Sequence, residues 1–182
     1  MIYLFIYFLV IALELIFAIS AFLYISSLIF SSLMGAPYVP TKNDEIQAIL
    51  KEADLKKDHL FLELGCGDGR VVRTAVKHYH VRGVGVDINP LLVGLARFKA
   101  RKIQSHLEFR TSHLMDTGIR NFDVIYLFLM PDLLQKLGSK LKAETKKGTL
   151  IISHGFRLEG FEKNLYKTLM RNPFPTYYYR LN

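Results

Sequence analysis

The chain has 182 residues, 51% of them hydrophobic, with one Cys and no Trp. That length suits one catalytic domain with a short appendage, and the lone Cys66 excludes a disulfide framework and a multi-cysteine zinc site. The net charge of +8 is unevenly spread: all 24 Lys and Arg and 15 of the 16 Asp and Glu lie from Lys42 onward, so an almost uncharged head precedes a body of charge +9.

Residues 1–34, MIYLFIYFLVIALELIFAISAFLYISSLIFSSLM, form an apolar run longer than the roughly 20 residues a helix needs to cross a bilayer. The expectation is a single-pass transmembrane anchor. A cleaved signal peptide competes, but the start carries no cation and the run is too long. Lys42, Lys51, Lys56 and Lys57 all follow the run, so the positive-inside bias puts the remaining chain on the cytoplasmic side. Glu14 lies mid-span, where an ionisable group is costly and is either functional or a protonated partner in a helix pair.

Residues 35–41 form a linker, because Pro37 and Pro40 prevent helix continuation. Thr41 or Asn43 is then placed to cap a helix to about Ala53, with Ile46, Ile49 and Leu50 on one face and Asp44 and Glu45 in the favourable first turn. Strands are expected over 59–64, 82–87, 106–110, 122–129 and 148–153, with helices over 69–79, 90–103 and 131–143 between them. This βαβαβ succession predicts an α/β, Rossmann-like, doubly wound sheet over residues 42–182. Segments 163–170 and 175–181 read as a closing antiparallel pair.

The most informative segment is Phe61-Leu-Glu-Leu-Gly-Cys-Gly-Asp-Gly-Arg70, an apolar strand ending in a glycine turn that opens a helix. Such glycines let the backbone approach a ligand at the C-terminal edge of a sheet. A dinucleotide fingerprint needs its third glycine where Arg70 stands, and a Walker loop needs Gly-Lys-Ser/Thr; neither pattern is met. Glu63, directly before the turn, repels a pyrophosphate and tolerates a cation. Asp87 ends the next strand 22 residues after Gly65, where a ribose-binding carboxylate is expected. Ribose, no pyrophosphate and positive charge together point to S-adenosyl-L-methionine (SAM).

These residues resemble the class I, seven-stranded SAM-dependent methyltransferases: Glu63 to Gly69 looks like their first motif and Gly85-Val-Asp-Ile-Asn-Pro90 like their second. The resemblance implies a seven-stranded sheet with an antiparallel final strand. With the apolar head and Pro37-Tyr-Val-Pro-Thr41 included, the chain is similar to the lysine methyltransferases of the ATP synthase c subunit and the adenine nucleotide translocase. That likeness implies Glu63, Gly65, Cys66 and Gly67 on the methionine side, Asp87 at the ribose, and Asn89 among the cofactor-binding residues. Ile88, Ser112 and His113 fall beside the adenine. His113 stands where the family tends to have Asp, and a neutral imidazole can accept from the adenine amino group. Tyr38, Pro40 and Thr41 fall over the reacting centre, and Pro131 is either a first-turn proline or a substrate-side residue.

Methyl transfer from a sulfonium needs alignment more than acid–base chemistry, although a lysine acceptor must first lose a proton. Tyr38, Asp132 and His154 are the candidate bases. The fourth strand runs into Leu-Met-Pro-Asp132 and not Asn/Asp-Pro-Pro-Tyr/Phe, which disfavours methylation of adenine, cytosine or glutamine amides. No histidine shows metal-ligand spacing, and no metal is expected. Arg97, Lys99, Arg101 and Lys102 read as a solvated face or as a contact for anionic headgroups. No aromatic-and-basic motif accompanies them, so nucleic acid is disfavoured. The resulting reading is a membrane-anchored SAM-dependent lysine methyltransferase acting on a membrane-associated protein. A lipid-headgroup or lipophilic-amine methyltransferase and a non-catalytic SAM-binding adaptor are the alternatives.

Overall fold

The computed structural model describes residues 1–33 and 39–181; Tyr38 and the rest of 34–38 lie outside the described residues. Helix α1 (Ile2–Leu33) contains a 26-residue apolar stretch, Ile2–Ser27, long enough to cross a membrane and unburied by the rest of the chain. It is apolar on every face, the pattern of a helix meant for an apolar surround.

Helix α2 (Asn43–Lys51) buries Ile46, Ile49 and Leu50 as its periodicity predicts. Its N-cap differs from expectation. Lys42 holds that position without a side-chain bond, while Asn43 is already helical and Thr41 is drawn into the domain interior. Asp44 and Glu45 in the first turn remain to offset the helix dipole.

Seven strands follow: β1 (Leu60–Leu64), β2 (Arg82–Asp87), β3 (Leu107–Thr111), β4 (Val124–Leu127), β5 (Leu150–His154), β6 (Leu165–Leu169) and β7 (Thr176–Arg180). They form one sheet of order β3-β2-β1-β4-β5-β7-β6, the first five parallel and β7 antiparallel to both β5 and β6. The expected fold class is therefore observed. Helices α3 (Arg70–Tyr79), α4 (Pro90–Ala100) and α5 (Pro131–Glu144) make the crossovers. Val72, Val76, Val93 and Ala96 join α2 in one buried layer, and Ile119, Leu134, Leu137 and Leu141 form the other.

The largest departures from the sequence reading are in helix α4 and strand β4. Helix α4 stops at Ala100 and a single 3-10 turn, Gln104–His106, delivers the chain to β3. Strand β4 is shorter than 122–129 at both ends. At its start the Asp123 carboxylate accepts from Leu60 N at 2.8 Å, and at its end Phe128 to Met130 turn off the sheet to wall a cavity. The cavity lies where chain order reverses, since β1 has β2 on one side and β4 on the other. That is the switch point at which open α/β sheets bind ligands.

Candidate active site

Strand β1 delivers Gly65 to the sheet edge with φ +78°, and a Cβ there would come within 2.7 Å of Leu129 Cδ2. Gly69 is tighter still, because a Cβ would sit 2.4 Å from the Phe109 ring. The loop between them spends its donors internally. Gly65 N and Cys66 N both donate to Val86 O, Gly69 N donates to Cys66 O, and Gly67 N donates to Asp87 Oδ2 at 2.8 Å. A phosphate cradle needs such N–H groups free. This loop instead presents carboxylates.

Asp87 joins the two ligand-facing loops, since its Oδ1 also accepts from Asn89 N at 2.8 Å. Burial pushes its carboxyl above the usual range, against three backbone N–H groups that favour the charged form. Glu63 is 4% exposed, and its Oε2 accepts from Val72 N at 2.9 Å; burial raises its carboxyl well above normal. Asp68 is the opposite case: burial works against its charge, but Arg70 and Lys99 outweigh it and hold the group at about 2. Burial pushes the Cys66 thiol up, so sulfur reactivity is suppressed.

The cavity of about 270 Å³ runs from this loop across β4 toward β5. It brings together Glu63, Gly65, Cys66, Gly67, Asp87, Pro40 and Thr41, seven of the residues singled out in the sequence. Five others do not line it. Asn89 caps α4, its Oδ1 accepting from Leu91 N and Leu92 N, and Ile88 is half-buried outside the wall. Ser112 N donates to Asp87 O, and exposed His113 caps a one-turn helix by accepting from Met115 N. Pro131 is an exposed first-turn proline of α5, while its neighbour Met130 does line the cavity.

Sequence reasoning missed the far wall, formed by Tyr126, Phe128, Phe156 and Phe174. These come from β4, from the turn after β5 and from the approach to β7, so no local motif contains them. Beneath Phe128 and Phe174 lies His154, its ring centroid 4.5 Å and 5.9 Å from theirs. His154 is fully buried, Nδ1 is 2.9 Å from Thr176 Oγ1, and Nε2 is 3.5 Å from Glu45 Oε1. Burial holds this imidazole at about 4 and therefore neutral. Glu45 Oε1 and His154 Nε2 are each buried without a hydrogen bond among the described residues, and the equally buried Tyr126 hydroxyl has the Thr41 side chain as its neighbour. Orphaned polar groups so close together are uncommon in a packed interior and mark a functional region. Asp132, the other described base candidate, is exposed on α5.

The strand order, the donor-spent glycine loop and the paired carboxylates define a class I methyltransferase, with S-adenosylmethionine as its cofactor. The family model of the ANTKMT methyltransferase domain matches residues 63–164, and the chain belongs to that family. It is 32% identical over 128 residues to a protein-lysine N-methyltransferase of Saccharolobus islandicus, covering 69% of this chain and 80% of that one. An adenine nucleotide translocase lysine N-methyltransferase of Mus musculus is 31% identical over 127 residues, 69% of this chain; the match spans about half of that relative, 55%. Among solved structures, an RNA methyltransferase from Salinibacter ruber bound to S-adenosyl-L-homocysteine superposes with TM-score 0.74 at 31% identity, over 79% of this chain and 94% of that one.

Proposed function

We propose that the chain transfers a methyl group from S-adenosylmethionine to a lysine side chain of a membrane-associated protein, with α1 as a single-pass anchor and the catalytic domain on the cytoplasmic side. The observation that carries the acceptor is the cavity's far wall. Beyond the acidic cofactor loop the wall is made of four aromatic side chains, Tyr126, Phe128, Phe156 and Phe174, a surround suited to an amine or ammonium. The lysine methyltransferases among its relatives support the same acceptor.

Bound at the glycine loop, the cofactor supplies an electrophilic methyl on a sulfonium. Asp87 would hold the ribose hydroxyls, and Glu63 would lie on the positively charged methionine side. Thr41 and Tyr126 would orient the acceptor amine once its ammonium has given up a proton to water. Phe128, Phe156 and Phe174 exclude water, so the reactants meet in a desolvated, aligned geometry.

Incubating membranes that contain the full chain with radiolabelled S-adenosylmethionine tests the reading. Label in a protein band, located on lysine by mass spectrometry, is the expected result. Label only in the lipid extract, or none, would replace it with a lipid methyltransferase or a silent binder. An RNA acceptor is a second reading, favoured by the similarity to the Salinibacter ruber enzyme. Nuclease-sensitive label would select it.

A further inference from the structure

Among the described residues, helix α4 leaves an unpartnered face. Leu91 and Phe98, 51% and 64% exposed, lie seven residues apart with half-buried Leu95 between them, so the three side chains share one stripe. Cations flank it: Arg101 and Lys102 are exposed, the Arg101 guanidinium lying 4.5 Å from the centre of the Phe98 ring, and exposed Arg97 donates from Nη2 to Phe109 O at 2.7 Å. Lys99 is occupied differently, its Nζ 2.6 Å from Asp68 Oδ2. A soluble helix places polar residues outward, whereas this one presents an apolar stripe with cations at its margins. That composition fits a helix lying in an anionic membrane interface.

The position of the helix selects a bilayer as the occupant. Asn89, its N-cap, donates from Nδ2 to Ser27 O at 3.0 Å and exchanges hydrogen bonds with the Ser27 hydroxyl. Ser27 lies within the last two turns of α1 (Ile2–Leu33). The start of helix α4 is therefore tied to the end of α1 from which the charged domain follows.

We propose that the Leu91, Leu95 and Phe98 face of α4 docks on the anionic bilayer surface that α1 crosses, holding the cofactor loop at the interface. The proposal rests on the anchor reading. Because the chain contains no Trp, single introduced tryptophans report both independently.

Full-length Leu91→Trp and Phe98→Trp, reconstituted in phosphatidylcholine vesicles with and without phosphatidylserine, are compared with Phe17→Trp in α1 and Tyr166→Trp on β6, at the opposite sheet edge. Brominated acyl chains quench any tryptophan that enters the bilayer. Roughly half of the emission at positions 91 and 98 should be lost, more with phosphatidylserine and less in an Arg101→Glu, Lys102→Glu background, while position 166 stays bright. Quenching at position 17 but not at 91 or 98 overturns the docking and leaves the anchor standing. No quenching at position 17 removes the anchor itself. A blue shift at 98 only when a membrane-protein acceptor is added would also overturn the proposal, assigning the face to a protein partner.

Discussion

Arg70 fastens the segment before α2 to the cofactor loop: its Nη1 donates to the Thr41 carbonyl at 3.1 Å while Nε donates to Asp68 Oδ1 at 2.9 Å. The residue that opens α3 thus sets the height of Pro40 and Thr41 over the cavity. Arg70→Ala should raise the KM for the protein acceptor and lower kcat about 10-fold, the cost of about one charge-assisted hydrogen bond. Affinity for S-adenosylhomocysteine should change little. Steady-state kinetics with calorimetry separates the two, and equal losses in both would mean that Arg70 supports only the loop.

Asp87 carries two duties, holding Gly67 N and Asn89 N and presenting its remaining acceptor capacity to the cavity. Asp87→Ala should weaken cofactor binding roughly 10- to 100-fold, through loss of charge-assisted bonds worth about 1.5–3 kcal/mol. Asp87→Asn, which keeps one acceptor oxygen, should fall between. Unchanged affinity in titration calorimetry would remove the ribose assignment.

Acid should unfold the domain in two windows of different origin. His154 has its affinity for protons lowered by burial, to about 4 from 6.5. The unfolded chain then binds the proton first, and stability is lost as pH falls from 6.5 toward 4, by about 3 kcal/mol. Asp68 is held at about 2 against an ordinary 3.8, so its contribution of about 2 kcal/mol is present above pH 4 and lost on acidification below it. Denaturant melts across pH should show His154→Phe flattening the upper window and Asp68→Asn the lower. Exchange of those effects would contradict the assignment.

The parts legible in sequence were those that one segment encodes. Gly65, Gly67 and Glu63 follow a single strand, and Asp87 ends the next, so spacing alone located four cavity residues. The parallel sheet followed from the alternation of strands and helices, whereas its strand order is a property of the folded chain. Phe156 and Phe174 were not legible, because they reach the cavity only when β7 inserts beside β5. The helix cap was misplaced for a related reason: Arg70, 29 residues on, claims the Thr41 carbonyl. His113, carried over by likeness, spends its acceptor nitrogen on Met115 N and stands outside the cavity.

The buried group of Glu45, Tyr126 and His154 yields the sharpest test of the acceptor side. Tyr126 is 1% exposed yet lines the cavity, and burial pushes its hydroxyl well above the ordinary range, so it acts only as a neutral donor and acceptor. Glu45, from α2, and Thr176, from β7, face His154 from the other sides; Thr41, Glu63, Glu45 and Tyr178 act on Tyr126, and Asp44, Lys42 and Arg171 act on Glu45. Burial also raises the Glu45 carboxyl. If Tyr126 orients the incoming amine, Tyr126→Phe should lower kcat roughly 10- to 100-fold, the loss of one hydrogen bond in a desolvated site, with S-adenosylhomocysteine affinity intact. His154→Asn and Glu45→Gln act through Tyr126, so each should reduce kcat less and move the pH profile of kcat. A variant set with equal melting temperatures, unchanged cofactor binding and unchanged kcat would show that the orphaned atoms serve packing alone.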